Sequence, residues 1–276
     1  MAHHAPTSHA AWTPALIARQ PSVPIVVAVR RRRFTCAVYR PPVDCRVRIS
    51  ERFDSIQGEG KLTGVPSAFI RASGCNLRCS WCDTPYASWN PEGGQESIDD
   101  IANWVKSTGR KHVVFTGGEP VIQPDADELC DRLSSDDRHV TLETAGTIFK
   151  PLAIDLLSLS PKLANSTPHG TRFAEQHERQ RLNFDAMNQF IAHTRGRGGD
   201  VQVKFVVSEP SDLDELSAVV AQLDDVAADD VLLMPEGTTN ERLDARAGWL
   251  AEVCKQTGYR FCPRLHVYLY GDARGT

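Results

Sequence analysis

The chain has 276 residues, 41% of them hydrophobic and 24% charged, with a formal net charge of −4; this balance allows one sizeable buried core and a single domain. No apolar run approaches the roughly 20 residues needed to cross a bilayer, because Pro, Gly and charges interrupt each one. The charge is uneven: residues 1–46 hold seven Arg, no Lys and one acid, Asp44, so they carry about +6 and residues 47–276 about −10. An acidic body lacks the clustered basic face that phosphate contacts need, which argues against nucleic-acid binding and for a small-molecule substrate.

Three readings stay open for residues 1–46. They are an Arg-rich, acid-poor transit peptide, a basic arm built on Arg30–Arg33, or a disordered leader translated from DNA upstream of a start at Val47. Residues 47–276 form the core domain. From Val47 onward apolar runs alternate with amphipathic segments, the pattern of βα units and a mostly parallel sheet, hence an α/β class. In chain order the spacing predicts a strand at Pro66–Ala72 and a helix at Ser97–Ser107, where Ile98, Ile101 and Val105 share a face. A strand at Lys111–Thr116, a helix at Asp125–Ser134 and strands at His139–Glu143 and Ile154–Ser160 follow. After a connecting loop at 163–180 come a helix at Glu178–His193, a strand at Val201–Val207 and a helix at Ser211–Leu223. A strand at Asp230–Met234, a helix at Asn240–Thr257 and a last strand near His266–Tyr270 complete the series. About six parallel strands can curl into a partial barrel that presents site residues at the strand C-termini.

The eight cysteines are clustered unevenly, three within eight positions and Cys36, Cys45, Cys130, Cys254 and Cys262 scattered. That pattern fits a metal site in a reducing, cytoplasmic setting better than a disulfide framework. The segment Gly74-Cys75-Asn76-Leu77-Arg78-Cys79-Ser80-Trp81-Cys82-Asp83-Thr84 reads as Cys-x3-Cys-x2-Cys on a loop after the first predicted strand. Three thiolates can hold three corners of a cubane and leave one iron open, whereas a fully held cluster takes four. A structural zinc site is the rival, and it ordinarily takes four protein ligands.

Cys-x3-Cys-x2-Cys in this place resembles the signature of the radical S-adenosylmethionine superfamily. The resemblance implies that Cys75, Cys79 and Cys82 bind a [4Fe–4S] cluster whose open iron is chelated by the methionine end of S-adenosylmethionine. One electron from the reduced cluster then cleaves the cofactor, and the 5′-deoxyadenosyl radical takes a substrate hydrogen. Thr116-Gly117-Gly118-Glu119-Pro120 looks like the superfamily's Gly-Gly-Glu motif, its glycines permitting close backbone approach to a ligand. By the same resemblance Ser160, Pro161 and Lys162 touch the cofactor, and Met234, Pro235, Glu236 and Gly237 carry its adenine. Glu143-Thr144-Ala145-Gly146 also ends a strand where a barrel presents site residues, and plain turns or strand exits remain alternatives for all three segments.

Ahead of the cysteines lies Asp54-Ser55-Ile56-Gln57-Gly58-Glu59-Gly60, and Phe69-Ile70-Arg71-Ala72-Ser73-Gly74 leads into them. Together with Cys-Ser-Trp-Cys-Asp-Thr these closely resemble the 7-carboxy-7-deazaguanine synthase family over about residues 47–270. That family converts 6-carboxy-5,6,7,8-tetrahydropterin to 7-carboxy-7-deazaguanine with loss of ammonia, for queuosine and other deazapurines. The resemblance implies substrate contacts at Ile56, Gln57, Gly58, Glu59, Arg71, Thr116 and His266. It further implies cofactor contacts at Trp81, Cys82 and Asp83, with Gly118 and Glu119, and a Mg2+ ligand at Thr84. It also implies an electron donor such as flavodoxin or ferredoxin, and a homodimer. Several family members end on a Pro carboxylate that meets the substrate; this chain departs from that pattern by running on to Thr276, whose carboxylate is expected to take that place. A glycyl-radical activase and a non-catalytic zinc module are the competing functions.

Overall fold

A computed structural model describes residues 45–276 of the chain. The readings made for residues 1–46 lie outside the described residues except at Cys45 and at Arg46, where β1 begins. Among the described residues the strands are β1 (Arg46–Ile56), β2 (Pro66–Ala72), β3 (Gly94–Ser97), β4 (His112–Gly117), β5 (His139–Thr144), β6 (Leu156–Leu159), β7 (Asp200–Val207), β8 (Val231–Pro235) and β9 (Arg260–Phe261). They form one sheet in the order β3-β1-β2-β4-β5-β6-β7-β8-β9. Neighbours from β2 to β9 run parallel, while β1 pairs antiparallel with both β2 and β3. The six predicted parallel strands before the last are present.

The inner strands β4 to β8 have two buried faces because helices cover one side and the sheet's own curvature encloses the other. Val113 and Phe115, Val140 and Leu142, Leu157 and Leu159, Val203 and Phe205, and Val231 and Leu233 share one core. It also holds Ile101 and Val105 of α2 (Ile98–Thr108), Leu129 of α3 (Ala126–Ser135), Phe190 of α5 (Phe184–Gly196), Leu216 of α6 (Asp212–Val220) and Leu250 of α7 (Asn240–Thr257). The alternate positions point the other way, since strand side chains have a period of two. They mix polar residues, Arg71, Thr116, Glu143, Ser158, Gln202 and Lys204, with small apolar clusters, Phe69 with Val114 and Val206 with Leu232 and Met234, and they line the concave face.

That face is crossed by the loop after β1. The Lys61 amide donates to Gln202 Oε1 at 2.7 Å, and its ammonium pairs with Asp200 and Asp230 at 2.9 and 2.8 Å. The Gly60 amide meets Cys262 Sγ at 3.1 Å. A loop rooted beside β2 reaches β7 only because the sheet curls, so these bonds close a partial barrel.

Two predicted elements differ. The last strand near His266–Tyr270 is instead a helix, α8 (Leu265–Tyr270), and β9 takes the sheet edge. Its aromatic and β-branched run reads as a strand by propensity, but the Leu265 amide is tied to Gly58 O at 2.8 Å, and only Val267 is buried. The helix predicted over Glu178–His193 is broken into α4 (Ala174–Gln180), which occupies part of the predicted loop 163–180, and α5. Asn183 makes the break by capping α5, its Oδ1 accepting from the Ala186 amide at 3.2 Å, a role that Asn fills better than a helix interior. The short helix α1 (Pro85–Ser88) and β1, β3 and β9 were not predicted.

His112, 5% exposed, lies between Ser67 Oγ at 2.5 Å and Thr141 Oγ1 at 2.8 Å. Burial, helped by His139 alongside, pulls its pKa from 6.5 to about 4. A neutral imidazole therefore stabilises the fold above pH 6.5, and that contribution drains away as pH falls towards 4. Urea unfolding at pH 7 and pH 5 should show a loss of about 2 kcal/mol from this residue, absent in His112→Gln.

Candidate active site

The cysteine loop leaves β2 at Ser73 and is pinned at both ends by backbone. The Gly74 amide donates to Ala87 O at 2.8 Å, while the Gly118 and Glu119 amides donate to Ala72 O at 3.1 Å and Gly74 O at 2.9 Å. A Cβ on Gly118 would stand 2.0 Å from Gly74 O and 2.6 Å from Ala87 O. The chain's own loop thus approaches Gly118 this closely. Gly-Gly-Glu seats the cysteines.

Cys75, Cys79 and Cys82 are free thiols and border one small apolar cluster with Leu77, Ala145 and Trp81. Burial pushes Cys75 and Cys79 each up to about 12, so thiolates here call for a cation. Cys82 Sγ lies 3.0 Å from Ser88 Oγ and 3.8 Å from Thr84 Oγ1. Among the described residues no three His, Cys, Asp or Glu side chains converge as a finished metal cage. The donor set nevertheless fits an iron–sulfur cluster: three thiols on one loop, walled by apolar side chains that keep the dielectric low.

Trp81 joins two parts of the site. It packs both on the cysteine cluster and on Val206, Leu232, Met234 and Cys262, and its Nε1 donates to Asn165 Oδ1 at 3.2 Å. Lys162 lies 5.8 Å from its ring and bonds Ser160 Oγ at 2.8 Å; Pro161 between them is buried. Glu119, 1% exposed, accepts from Thr144 Oγ1 at 2.6 Å and the Ala145 amide at 2.9 Å, and burial raises its pKa. Met234 and Pro235 end β8. Glu236 pairs with Arg242 and Arg246 at 2.8 and 3.3 Å, and Gly237 offers its carbonyl to Arg264 at 2.7 Å.

The Gln-Gly-Glu element forms the other wall. Ile56 ends β1 opposite Pro66. Gln57 is buried and donates to Glu143 Oε1 at 3.1 Å, and Thr116 donates to Glu143 Oε2 at 2.7 Å. Glu59 accepts from Lys204 Nζ and, at 3.0 Å, from Arg264 Nε; His266 Nε2 is 3.9 Å away. Burial opposes ionisation of Glu59, yet Lys204 and Arg264 hold it well below the carboxylate range. Burial also lowers the pKa of His266, whose ring lies where a Gly58 Cβ would be, 2.0 Å from Nδ1. Asp83 pairs with Arg264 Nη2, and that charge keeps it low against burial.

Arg71 gives its Nε to Glu51 at 2.7 Å. Glu51 also accepts from Tyr86 Oη at 2.8 Å and from Arg274 Nε at 3.0 Å. Arg274 lies 4.0 Å over the Tyr86 ring, so the tail ending at Thr276 is tied to the Arg71 side. No bond joins Thr276 to Gln57 or Glu59; its Oγ1 returns to Ala273 O at 2.7 Å. Three site-forming residues are not singled out in the sequence, Lys204, Arg264 and Glu51, whereas Glu143 reads there only as a strand end where a barrel presents site residues. The run Val201-Gln202-Val203-Lys204-Phe205 carried a signal, two polar residues two apart in an otherwise apolar strand.

Residues 69–166 match the Radical SAM superfamily model. A Rhodopirellula baltica protein named 7-carboxy-7-deazaguanine synthase is 49% identical over 231 residues, 83% of this chain and 88% of that one. The chain belongs to the 7-carboxy-7-deazaguanine synthase family. A Halobacterium salinarum synthase is 44% identical over 241 residues, covering 83% of this chain and 92% of its own. The crystal structure of QueE from Escherichia coli shares the fold, with a TM-score of 0.60 over 80% of this chain and 95% of that chain at 24% identity. Membership in this family sets aside the activase and zinc-module readings, and it brings with it a [4Fe–4S] cluster and S-adenosylmethionine. No helix among the described residues is long and apolar enough to cross a membrane.

Gly118→Ala should displace the cysteine loop, because the new methyl meets backbone that cannot rotate away. Iron and sulfide per chain after anaerobic reconstitution should fall at least several-fold; wild-type loading would remove the seating role.

Proposed function

We propose that the chain converts 6-carboxy-5,6,7,8-tetrahydropterin into 7-carboxy-7-deazaguanine and ammonia, a ring contraction that is redox-neutral overall. The observation that carries this reading is the Glu143 carboxylate, aimed into the concave face between Gln57 and Thr116. A pyrimidine edge of a pterin offers adjacent N–H donors, and a carboxylate has lone pairs for both while still accepting from its neighbours. Gln57, Gly58 and Ile56 then border that ring, with Glu59, Thr116 and His266 around it.

Arg71 has its Nε committed to Glu51, which fixes the guanidinium and leaves the terminal amines for the substrate carboxylate as a fork. The Arg274 anchor supports Thr276 closing the same side. Cys75, Cys79 and Cys82 hold the cluster, and Thr84 offers a hydroxyl to Mg2+, a hard cation that keeps other oxygen ligands from substrate and water. Gly118 and Glu119 face the methionine end of the cofactor. Ser160, Pro161 and Lys162, with Trp81, Cys82 and Asp83, flank its middle, and Met234, Pro235, Glu236 and Gly237 carry the adenine. When bound, the cluster and S-adenosylmethionine supply one-electron cleavage and hydrogen abstraction, with the cofactor regenerated. The protein's part is to bind, orient and exclude water. Flavodoxin or ferredoxin as reductant, a homodimer and a cytoplasmic site of action complete the proposal.

The test is anaerobic reconstitution with iron and sulfide, then dithionite, S-adenosylmethionine, Mg2+ and the pterin, followed by mass. Product without net consumption of S-adenosylmethionine is expected; cofactor cleavage with the pterin untouched would overturn the reading. Cys79→Ala should abolish 5′-deoxyadenosine formation while the thermal melt stays near that of wild type. Glu143→Gln trades a charged acceptor for a neutral amide, so kcat/KM for the pterin should fall about a hundredfold, in line with about 3 kcal/mol for a charge-assisted pair.

A further inference from the structure

Arg264 is 7% exposed and spends its guanidinium on three separate parts of the chain. Nε donates to Glu59 Oε1 at 3.0 Å, in the loop that follows β1. Nη2 pairs with Asp83, next to the last cysteine of the cluster loop, and lies 3.5 Å from His266 Nε2. Nη1 donates to Gly237 O at 2.7 Å, just past β8. Those three segments are separated by 24 positions in one case and by more than 150 in the next. Arg264 bonds the loop around Glu59 and the loop around Asp83 at the same time.

We infer that Arg264 is a positioning residue that sets the spacing between the substrate loop at Glu59 and the cluster loop at Asp83. The inference rests on the functional reading above and extends it to a residue that reading leaves without a role. Its chemistry follows from shape. A guanidinium is planar and rigid, with donors fixed in three directions, so it transmits the position of one carboxylate to another across its own width. An ammonium at the same place keeps the charge but is a point donor on a flexible stem, and it cannot meet Glu59, Asp83 and Gly237 O at once. Lys204 on the second oxygen of Glu59 completes the clamp from β7. Hydrogen transfer between two separately held ligands is steep in distance: a misplacement of about 1 Å can cost on the order of a hundredfold. A cut link therefore lets the cofactor be cleaved with the hydrogen transfer failing more often.

The readout is the ratio of 7-carboxy-7-deazaguanine to 5′-deoxyadenosine in the reconstituted holoenzyme, measured with iron per chain and the melting temperature. Arg264→Lys should lower the ratio tenfold or more, with iron per chain equal to that of wild type. Asp83→Asn cuts the same link at its other end and should lower the ratio likewise. The double variant should be no worse than the worse single one, because both remove one connection. An unchanged ratio in Arg264→Lys, additive effects in the double variant, or iron, melting temperature and both products falling in step would each overturn the inference. Wild-type enzyme that cleaves the cofactor but makes no product would defeat the functional reading and this inference together. Product from wild type with an unchanged ratio in Arg264→Lys defeats this inference alone.

Discussion

Two cations on one carboxylate hold the interior of this protein together. Lys204 and Arg264 both bond Glu59, and Arg264 passes on to Asp83. Removing such charges from water costs several kcal/mol per ion, which only close geometry and full hydrogen bonding offset. Two cations and two carboxylates balance in charge, and every one is bonded, so the arrangement tolerates burial as a unit. Loss of a single member leaves an uncompensated charge, typically a cost of about 3–5 kcal/mol. The concave face of the sheet is therefore committed to a polar interior, and the loop carrying Glu59 is committed to crossing it.

That commitment explains the two-faced strands. Helix-facing positions are Val, Leu, Ile, Phe and Ala in the core, which supplies the stability an interior of ions does not. The inward positions Arg71, Thr116, Glu143, Gln202 and Lys204 are then free to be chosen for binding. Gln202 and Lys61 anchor the loop at the N-terminal end of β7, while Lys204 and Arg264 hold it one step higher, towards the cysteines. The site sits at the strand C-termini because that is where the parallel sheet opens into loops and where Cys75–Cys82, Gly118, Ser160 and Gly237 follow their strands.

A second, more exposed relay lies at the other edge. Glu51 takes Arg71, Tyr86 and Arg274 together, so the guanidinium facing the concave side and the C-terminal tail share one carboxylate. Its pKa is lowered, since Tyr86, Arg71 and Arg274 outweigh its partial burial. The antiparallel strand β1 supplies Glu51, and the loop that follows it, eight residues on from Glu51, supplies Glu59. One added strand thereby equips both sides of the site.

The cysteine spacing, the Gln-Gly-Glu element and the six parallel strands were legible in the sequence. Each is a local pattern: a ligand spacing fixed by chain length, or a hydrophobic period fixed by strand geometry. The same local logic failed where a distant partner decides the outcome. Leu265–Tyr270 has the composition of a strand, yet the bond from its first amide to Gly58 O and the edge taken by β9 make it a helix. Asn183 interrupts a helical pattern because its side chain caps one helix and reaches Thr147 O at 3.0 Å. Gly118 reads as a ligand's landing place, and the structure adds that Gly74 O lies against it. Arg264 is a single charge in unremarkable surroundings along the chain, and nothing local distinguishes it from a surface ion. Sequence by itself determined the family, the cluster loop and the strand-and-helix order, because these depend on neighbours within a few residues. Only the tertiary structure decided which charges meet inside, because a buried ion is tolerated solely where folding brings its partner within bonding distance.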